Sequence, residues 1–255
     1  MHAPARGRKG VFLLPNLLTT AALFSGFLAV IKGIDGQFSI AAGALLVALV
    51  FDGLDGRVAR LIGAETAFGA EYDSISDAIT FGLAPAVLVY QWGLAPFGDI
   101  GWLVGFLFTA CAGLRLARFS AQSAAKDKRY FQGLPAPAAA ATLATWVLFS
   151  EQTGLSGSWV NWAGLIGVLL LGLLMVTNIR YRSFKDADLH HRVPFFAAVL
   201  IVGALALVAV HPPLVLFLLF FVYALAGPVD TVFQLRRRRR ERRARAEVDG
   251  SRREP

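Results

Sequence analysis

Long apolar runs, separated by short polar turns that contain glycine and proline, make up most of the chain. A helix needs about 20 predominantly apolar residues to cross a bilayer. The pattern therefore predicts eight spanning helices. Their approximate ranges are 11–32, 38–59, 74–92, 100–119, 135–149, 159–179, 194–210 and 214–233. We expect an all-α fold, a polytopic transmembrane helical bundle whose transmembrane domain comprises residues 11–233.

The composition supports a membrane protein. Of the 255 residues, 56% are hydrophobic and only 16% are charged, whereas an ordinary soluble domain carries about 25% charged residues. Cys111 is the single cysteine and lies within an apolar run, so the chain cannot build a disulfide framework.

Lysine and arginine concentrate at the two termini and in the second, fourth and sixth connections between the predicted spans. Positively charged connections mark the cytoplasmic side. An even number of spans then places both termini, and the second connection, in the cytoplasm, with the protein in the cell (inner) membrane. Residues 1–10 would be a basic N-terminus. Residues 234–255 would be an Arg-rich tail, expected to be disordered and to contact anionic lipid rather than nucleic acid.

Residues 52–77 break the apolar pattern with a cluster of charges. A charge inside a bilayer costs roughly 2.5–3.5 kcal/mol, so such a cluster indicates a function. One face of the second helix, at spacings i, i+3, i+4, i+7 and i+8, carries Asp52, Asp55, Gly56, Ala59 and Arg60. The start of the third helix carries Gly69, Asp73 and Asp77 at intervals of four. A short turn would bring the two faces together.

Four converging carboxylates suit a hard divalent cation such as Mg²⁺, Mn²⁺ or Ca²⁺. An arginine beside such a cation favours a phosphate or diphosphate ligand, and one carboxylate could act as a general base. Alternatively, the acids pair with Arg57 and Arg60 and only fix the orientation of the helices.

The spacing Asp52-x-x-Asp55-Gly56-x-x-Ala59-Arg60, eight residues, Gly69-x-x-x-Asp73-x-x-x-Asp77 resembles the complete signature of the CDP-alcohol phosphotransferases. The resemblance implies a helical membrane bundle that forms a homodimer and holds two divalent metal ions, Mg²⁺ or Mn²⁺. In that family a hydroxyl displaces CMP from a CDP-linked donor.

Within the family, the flanking stretches resemble bacterial phosphatidylserine synthases. These stretches are residues 15–19, 51–60, 81–86, 114–119 and 130–138, and the resemblance runs from about residue 12 to about residue 140. It implies CDP-diacylglycerol as the donor and L-serine as the acceptor.

The resemblance also implies roles for single residues. Asp52, Asp55 and Asp73 would ligate metal, and Asp77 would ligate the second metal and act as the base. The CDP part of the donor would be contacted by Gly56, Ala59, Arg60, Gly69, Asn16 and Thr19. Arg115 and Arg118 would hold the serine carboxylate or a donor phosphate. Thr66, which precedes Gly69, could also reach the site.

Other functions remain open from the residues alone. The same chemistry could use glycerol 3-phosphate or inositol phosphate as the acceptor. A membrane prenyltransferase would need a second Asp-rich motif. Asp186 and Asp188 are the only later pair of closely spaced aspartates, and they lie in a hydrophilic loop without that pattern. A divalent-cation transporter would place its site near the bilayer midplane, whereas these acids lie at the ends of predicted spans.

Overall fold

The computed structural model describes residues 13–122, 130–182 and 211–251. Within these residues the chain forms eight α-helices and one pair of three-residue strands. The helices are α1 (Leu13–Ile34), α2 (Phe38–Leu61), α3 (Ala67–Asp77), α4 (Ala84–Val89), α5 (Asp99–Gln122), α6 (Ala136–Thr153), α7 (Ser158–Val176) and α8 (Pro212–Ser251). The strands are β1 (Tyr130–Gln132) and β2 (Arg180–Arg182).

The expected all-α membrane bundle is confirmed. In the described part of the chain, six helical segments are long and apolar enough to cross a membrane. They are Leu13–Ile34, Phe38–Leu61, Ala67–Phe97, Asp99–Ala121, Ser158–Val176 and Pro212–Thr231, and each overlaps one predicted span. The predicted span at 194–210 lies outside the described residues.

The predicted span at 135–149 is the helix α6, which is not among those six segments. Alanine and threonine dominate its sequence, and most of its residues are buried against other helices, chiefly α2 and α8. Small side chains let helix backbones approach closely. A helix enclosed by protein in this way does not need the hydropathy of one that faces lipid.

The third span begins at Ala67, seven residues before the predicted start at residue 74. Thr66 explains the earlier start because it is an N-cap in extended conformation whose hydroxyl accepts a hydrogen bond from the amide of Gly69 at 3.0 Å. Beyond α3 the helix widens into a π-helical segment, Ala78–Leu83, just before Pro85. Proline has no amide hydrogen, so the regular ladder is interrupted there.

The two strands tie the connection after α5 to the end of α7. They pair antiparallel, and beyond them the amide of Gly133 donates to the carbonyl of Ile179 at 2.8 Å. Gly133 has φ +80°, and a Cβ at this position would collide with the carbonyl oxygen of Met175. Only glycine suits this turn.

The Arg-rich tail differs from the expectation of disorder, since the backbone of α8 continues as helix to Ser251. Arginine, alanine and glutamate dominate residues 236–247, and all three are strong helix formers. The predicted division into residues 1–10, 11–233 and 234–255 otherwise stays a prediction.

Helix α1 packs against both α2 and the third span. The two pack tightly at Gly26, where a Cβ would lie 2.8 Å from Oγ1 and 2.9 Å from Cα of Thr80. Thr80 is fully buried in the π-helical segment. The contact leaves no room for a methyl group at residue 26.

Replacing Gly26 with alanine is therefore expected to destabilise the protein by about 1–3 kcal/mol through overpacking. Thermal unfolding of the purified protein in detergent measures the effect. Gly43 on α2 is the matched control, because a Cβ there meets no atom within 4 Å. Gly43→Ala should leave the unfolding temperature unchanged or raised; equal destabilisation by both variants would contradict the prediction.

Candidate active site

A short turn joins the two helices that carry the acidic residues. Helix α2 ends at Leu61, and the amide of Ala64 donates to the carbonyl of Ala59 at 2.9 Å. Gly63 in this turn has φ +63°, a left-handed conformation that glycine adopts without strain. The Thr66 cap then starts α3, so the acidic end of α2 is followed at once by the acidic arm of the third span.

The structure brings the predicted acids together. Asp52, Asp55 and Asp73 each offer a carboxylate oxygen, and these three oxygens lie within 4.8 Å of one another. The carboxyl group of Asp77 interacts with that of Asp52. We call these four residues the acid cluster. Its assembly follows from the helical spacing on each arm and from the turn between the arms.

The acid cluster fits a hard divalent cation. All of its donors are carboxylate oxygens, which Mg²⁺ and Mn²⁺ prefer. Asp55 is only 5% exposed, and Oδ1 of Asp73 is buried without a hydrogen-bond partner. Carboxylates packed this closely repel one another unless a cation neutralises them. A bound metal would supply both the missing charge and the missing partner.

No described arginine forms a salt bridge with the acid cluster. Arg60 interacts electrostatically with Asp55 but forms no salt bridge with it. The alternative in which these acids pair with Arg57 and Arg60 as orientation locks is therefore not supported by any direct ion pair.

Arg60 lies along the face of α2 that carries the signature glycine. A Cβ on Gly56 would be 3.5 Å from one terminal nitrogen of the Arg60 guanidinium, an ordinary contact distance. Arg60 is exposed, and Gly56 and Ala59 are partly exposed. The structure thus leaves an open, small-residue surface beside the acid cluster, with a guanidinium at its edge.

Asn16 on α1 meets the start of α3. A Cβ on Gly69 would lie 3.3 Å from Oδ1 of Asn16 and 3.1 Å from Oγ1 of Thr66. These separations are tight for a methyl group. The side chains of Asn16 and Thr66 therefore converge on a surface that Gly69 keeps open.

Thr19 is buried, and its hydroxyl faces the acid cluster. Its Oγ1 donates to Oδ2 of Asp55 at 2.8 Å. Its carbonyl oxygen accepts a hydrogen bond from the hydroxyl of Ser76 at 3.3 Å. The structure thus engages the Thr19 side chain with a predicted metal ligand rather than leaving it open towards a nucleotide.

The two arginines of α5 have different surroundings. Arg115 is partly buried and interacts electrostatically with Asp77 and with Tyr223 on α8. Arg118 donates from its guanidinium to Oδ1 of Asn178 at 2.7 Å, just beyond α7. Of the pair, Arg115 is the one that the structure brings to the acid cluster.

Comparison with known proteins agrees with this geometry. The sequence model of the family described as CDP-alcohol phosphatidyltransferase matches residues 12–179. The chain belongs to the CDP-alcohol phosphatidyltransferase family.

Two bacterial relatives are named CDP-diacylglycerol–serine O-phosphatidyltransferase. The Helicobacter pylori protein is 36% identical over 223 residues, covering 88% of this chain and 92% of the relative. The Mycobacterium leprae protein is 33% identical over 232 residues, covering 88% and 76% respectively. An archaetidylserine synthase from Methanothermobacter thermautotrophicus is 37% identical over 170 residues, covering 66% of this chain and 69% of the relative.

Some residues at this CDP-alcohol phosphatidyltransferase site were not predicted. Ser76 and Thr80 share the face of Gly69, Asp73 and Asp77 at helical spacing, so the sequence held a signal for them. Tyr223 and Asn178 reach Arg115 and Arg118 from distant parts of the chain. No local pattern could have indicated that pair.

Adding a methyl group at Gly69 is expected to displace Asn16 or Thr66 from the surface beside the acid cluster. Since a displacement of about 1 Å can cost up to a hundredfold in rate, Gly69→Ala should lower CMP release from a CDP-linked donor about tenfold or more, with little change in unfolding temperature. Gly53, next to Asp52, is the matched control because a Cβ there meets nothing within 4 Å. Full activity of Gly69→Ala would contradict the steric role.

Proposed function

We propose that this chain transfers the phosphatidyl group of CDP-diacylglycerol to the hydroxyl group of L-serine, giving phosphatidylserine and CMP. The observation that carries the proposal is the acid cluster, assembled from a complete family signature on α2 and α3. Relatives named for transfer to serine, two of which cover 88% of the chain, support serine over glycerol 3-phosphate or inositol phosphate.

Asp52, Asp55, Asp73 and Asp77 would hold two divalent ions, Mg²⁺ or Mn²⁺. When bound, the metal ions neutralise the diphosphate and the negative charge that develops on the departing CMP. The buried, unpartnered Oδ1 of Asp73 and the separations within the acid cluster support this assignment.

The donor would lie on the open surface of α2 and α3. Gly56, Ala59 and Gly69 let the CDP part approach the helix backbones, and Asn16 contacts it from α1. The Arg60 guanidinium can donate two hydrogen bonds to phosphoryl oxygens. Because Arg60 is exposed and lies at the end of its span, it can meet a diphosphate at the membrane surface while the acyl chains remain in the bilayer.

The acceptor would enter beside α5. Asp77 takes the proton of the serine hydroxyl, whose oxygen attacks the phosphorus bonded to diacylglycerol. A new bond between oxygen and phosphorus forms, and the bond from that phosphorus to CMP breaks. Arg115, which interacts electrostatically with Asp77, is suited to hold the serine carboxylate. Arg118, which is bonded to Asn178, would fix α5 against the end of α7 or bind a donor phosphate.

We place both termini and the acid cluster on the cytoplasmic side of the inner membrane. The distribution of lysine and arginine supports this orientation. It gives serine and CMP direct access from the cytoplasm. We further propose a homodimer, on the resemblance to the family, and a tail that touches anionic lipid rather than nucleic acid.

The substrate assignment is tested with the purified full-length protein, CDP-diacylglycerol and Mn²⁺ or Mg²⁺. With labelled L-serine, we expect labelled phosphatidylserine and an equal amount of CMP. Parallel reactions with glycerol 3-phosphate and inositol phosphate should give little product. Turnover with one of these and none with serine would overturn the acceptor while preserving the family chemistry.

The role of Asp77 is tested by replacing it with asparagine, which keeps the size of the side chain but cannot accept the proton. Because general base catalysis contributes typically 10²–10⁴-fold, kcat for serine should fall by about a hundredfold or more. Glu71→Gln is the control, since Glu71 is exposed and precedes the acid cluster on α3. Undiminished kcat in Asp77→Asn would exclude Asp77 as the base.

A further inference from the structure

Thr19 makes hydrogen bonds to both arms of the acidic hairpin, the pair of helices α2 and α3 that carries the acid cluster. Its side chain donates to Asp55 on α2, and its backbone carbonyl accepts from Ser76 on α3. Thr19 is 5% exposed and Ser76 is 1% exposed, so water does not compete for either bond. A single residue of α1 therefore connects the helix that carries Asp52 and Asp55 to the helix that carries Asp73 and Asp77.

The hydroxyl of Thr19 has two acceptors within reach but only one proton. The carbonyl oxygen of Pro15 lies at 3.2 Å and Oδ2 of Asp55 at 2.8 Å. A hydrogen bond to an ionised carboxylate is shorter and stronger than one to a carbonyl. The Thr19 hydroxyl therefore donates its proton to Asp55 rather than to Pro15. This bond holds one oxygen of Asp55 and fixes the rotation of the carboxylate, which leaves the other oxygen for the acid cluster.

Thr19 also positions the second arm, α3, through its hydrogen bond with Ser76. Ser76 immediately precedes Asp77 and follows Asp73 by three residues, so its bond to Thr19 sets the position of both acids. Two turns further along α1, Gly26 lies against Thr80, one turn after Ser76. At that contact α1 packs directly against the third span. Both arms thus take their positions from α1.

We propose that Thr19 is a positioning residue, which aligns the carboxylate of Asp55 with that of Asp73 for metal binding, and not a contact of the nucleotide. The inference rests on the proposed function, since that proposal assigns metal to the acid cluster. It differs from the role that the resemblance implies for Thr19. Residues that orient metal ligands through hydrogen bonds typically contribute 10–100-fold to metal affinity.

The experiment measures Mn²⁺ binding to the purified full-length protein without either substrate, from the electron paramagnetic resonance signal of free Mn²⁺. Thr19→Val keeps the shape but removes the hydroxyl and should weaken Mn²⁺ binding about tenfold or more. Thr19→Ser restores the donor and should bind within about threefold of wild type. If Thr19→Val does not fold, Thr19→Ala replaces it and should show the same loss.

Thr142→Val is the matched control. Thr142 is also buried, at 4% exposure, but it lies on α6, and its hydroxyl donates to the carbonyl four residues earlier, at 2.8 Å, rather than to a carboxylate. It should bind Mn²⁺ as wild type does. This separates the loss of a buried threonine hydroxyl in general from the loss of the bond to Asp55.

Normal Mn²⁺ affinity in Thr19→Val, or an equal loss in Thr142→Val, would overturn the inference. A wild-type protein that binds Mn²⁺ but makes no phosphatidylserine would overturn the proposed acceptor without touching the role of Thr19. A wild-type protein that binds no Mn²⁺ would overturn both the metal assignment and the inference. The failures of the two proposals are therefore distinguishable.

Discussion

Mutual repulsion among closely packed carboxylates is the constraint on which this structure depends. Oxygens of Asp52, Asp55 and Asp73 lie within 4.8 Å of one another, and charges so close repel by several kcal/mol when they are shielded from water. No described arginine pairs with them. The surrounding helices must hold the acids together against this repulsion, so packing elsewhere in the bundle offsets an unfavourable interaction at the site.

Helix α1 shows how that force is resisted. It contacts α2 along its length and also packs against α3, the π-helical segment and α4. Its polar contacts with the acids are made through Thr19, whereas a tight backbone contact lies two turns further along, at Gly26 against Thr80. Hydrogen bonds thus set the orientation of the carboxylates, and close packing without side-chain bulk sets the separation of the helices.

Helical spacing allowed both acidic arms to be predicted, because residues that share a face are fixed by local geometry alone. The third span starts at Ala67 rather than at residue 74 because the Thr66 cap extends it outward through polar residues. Hydropathy predicted where α6 lies but not that other helices enclose it. Its alanine and threonine residues are buried because neighbouring helices pack around them. The Arg-rich tail is helical because its residues have high helix propensity. The expectation of disorder rested on charge and did not take this propensity into account.

The proposed donor half and the proposed acceptor half of the site come from different kinds of sequence pattern. The acid cluster and its glycines lie on two consecutive helices joined by a short turn, so a compact motif specifies them. The groups around Arg115 and Arg118 come from α5, from Asn178 after α7 and from Tyr223 on α8. Residues so far apart in sequence can change without disturbing the hairpin. The same donor chemistry can therefore be combined with different acceptor alcohols. The signature identifies the family but not the acceptor, which has to be tested directly.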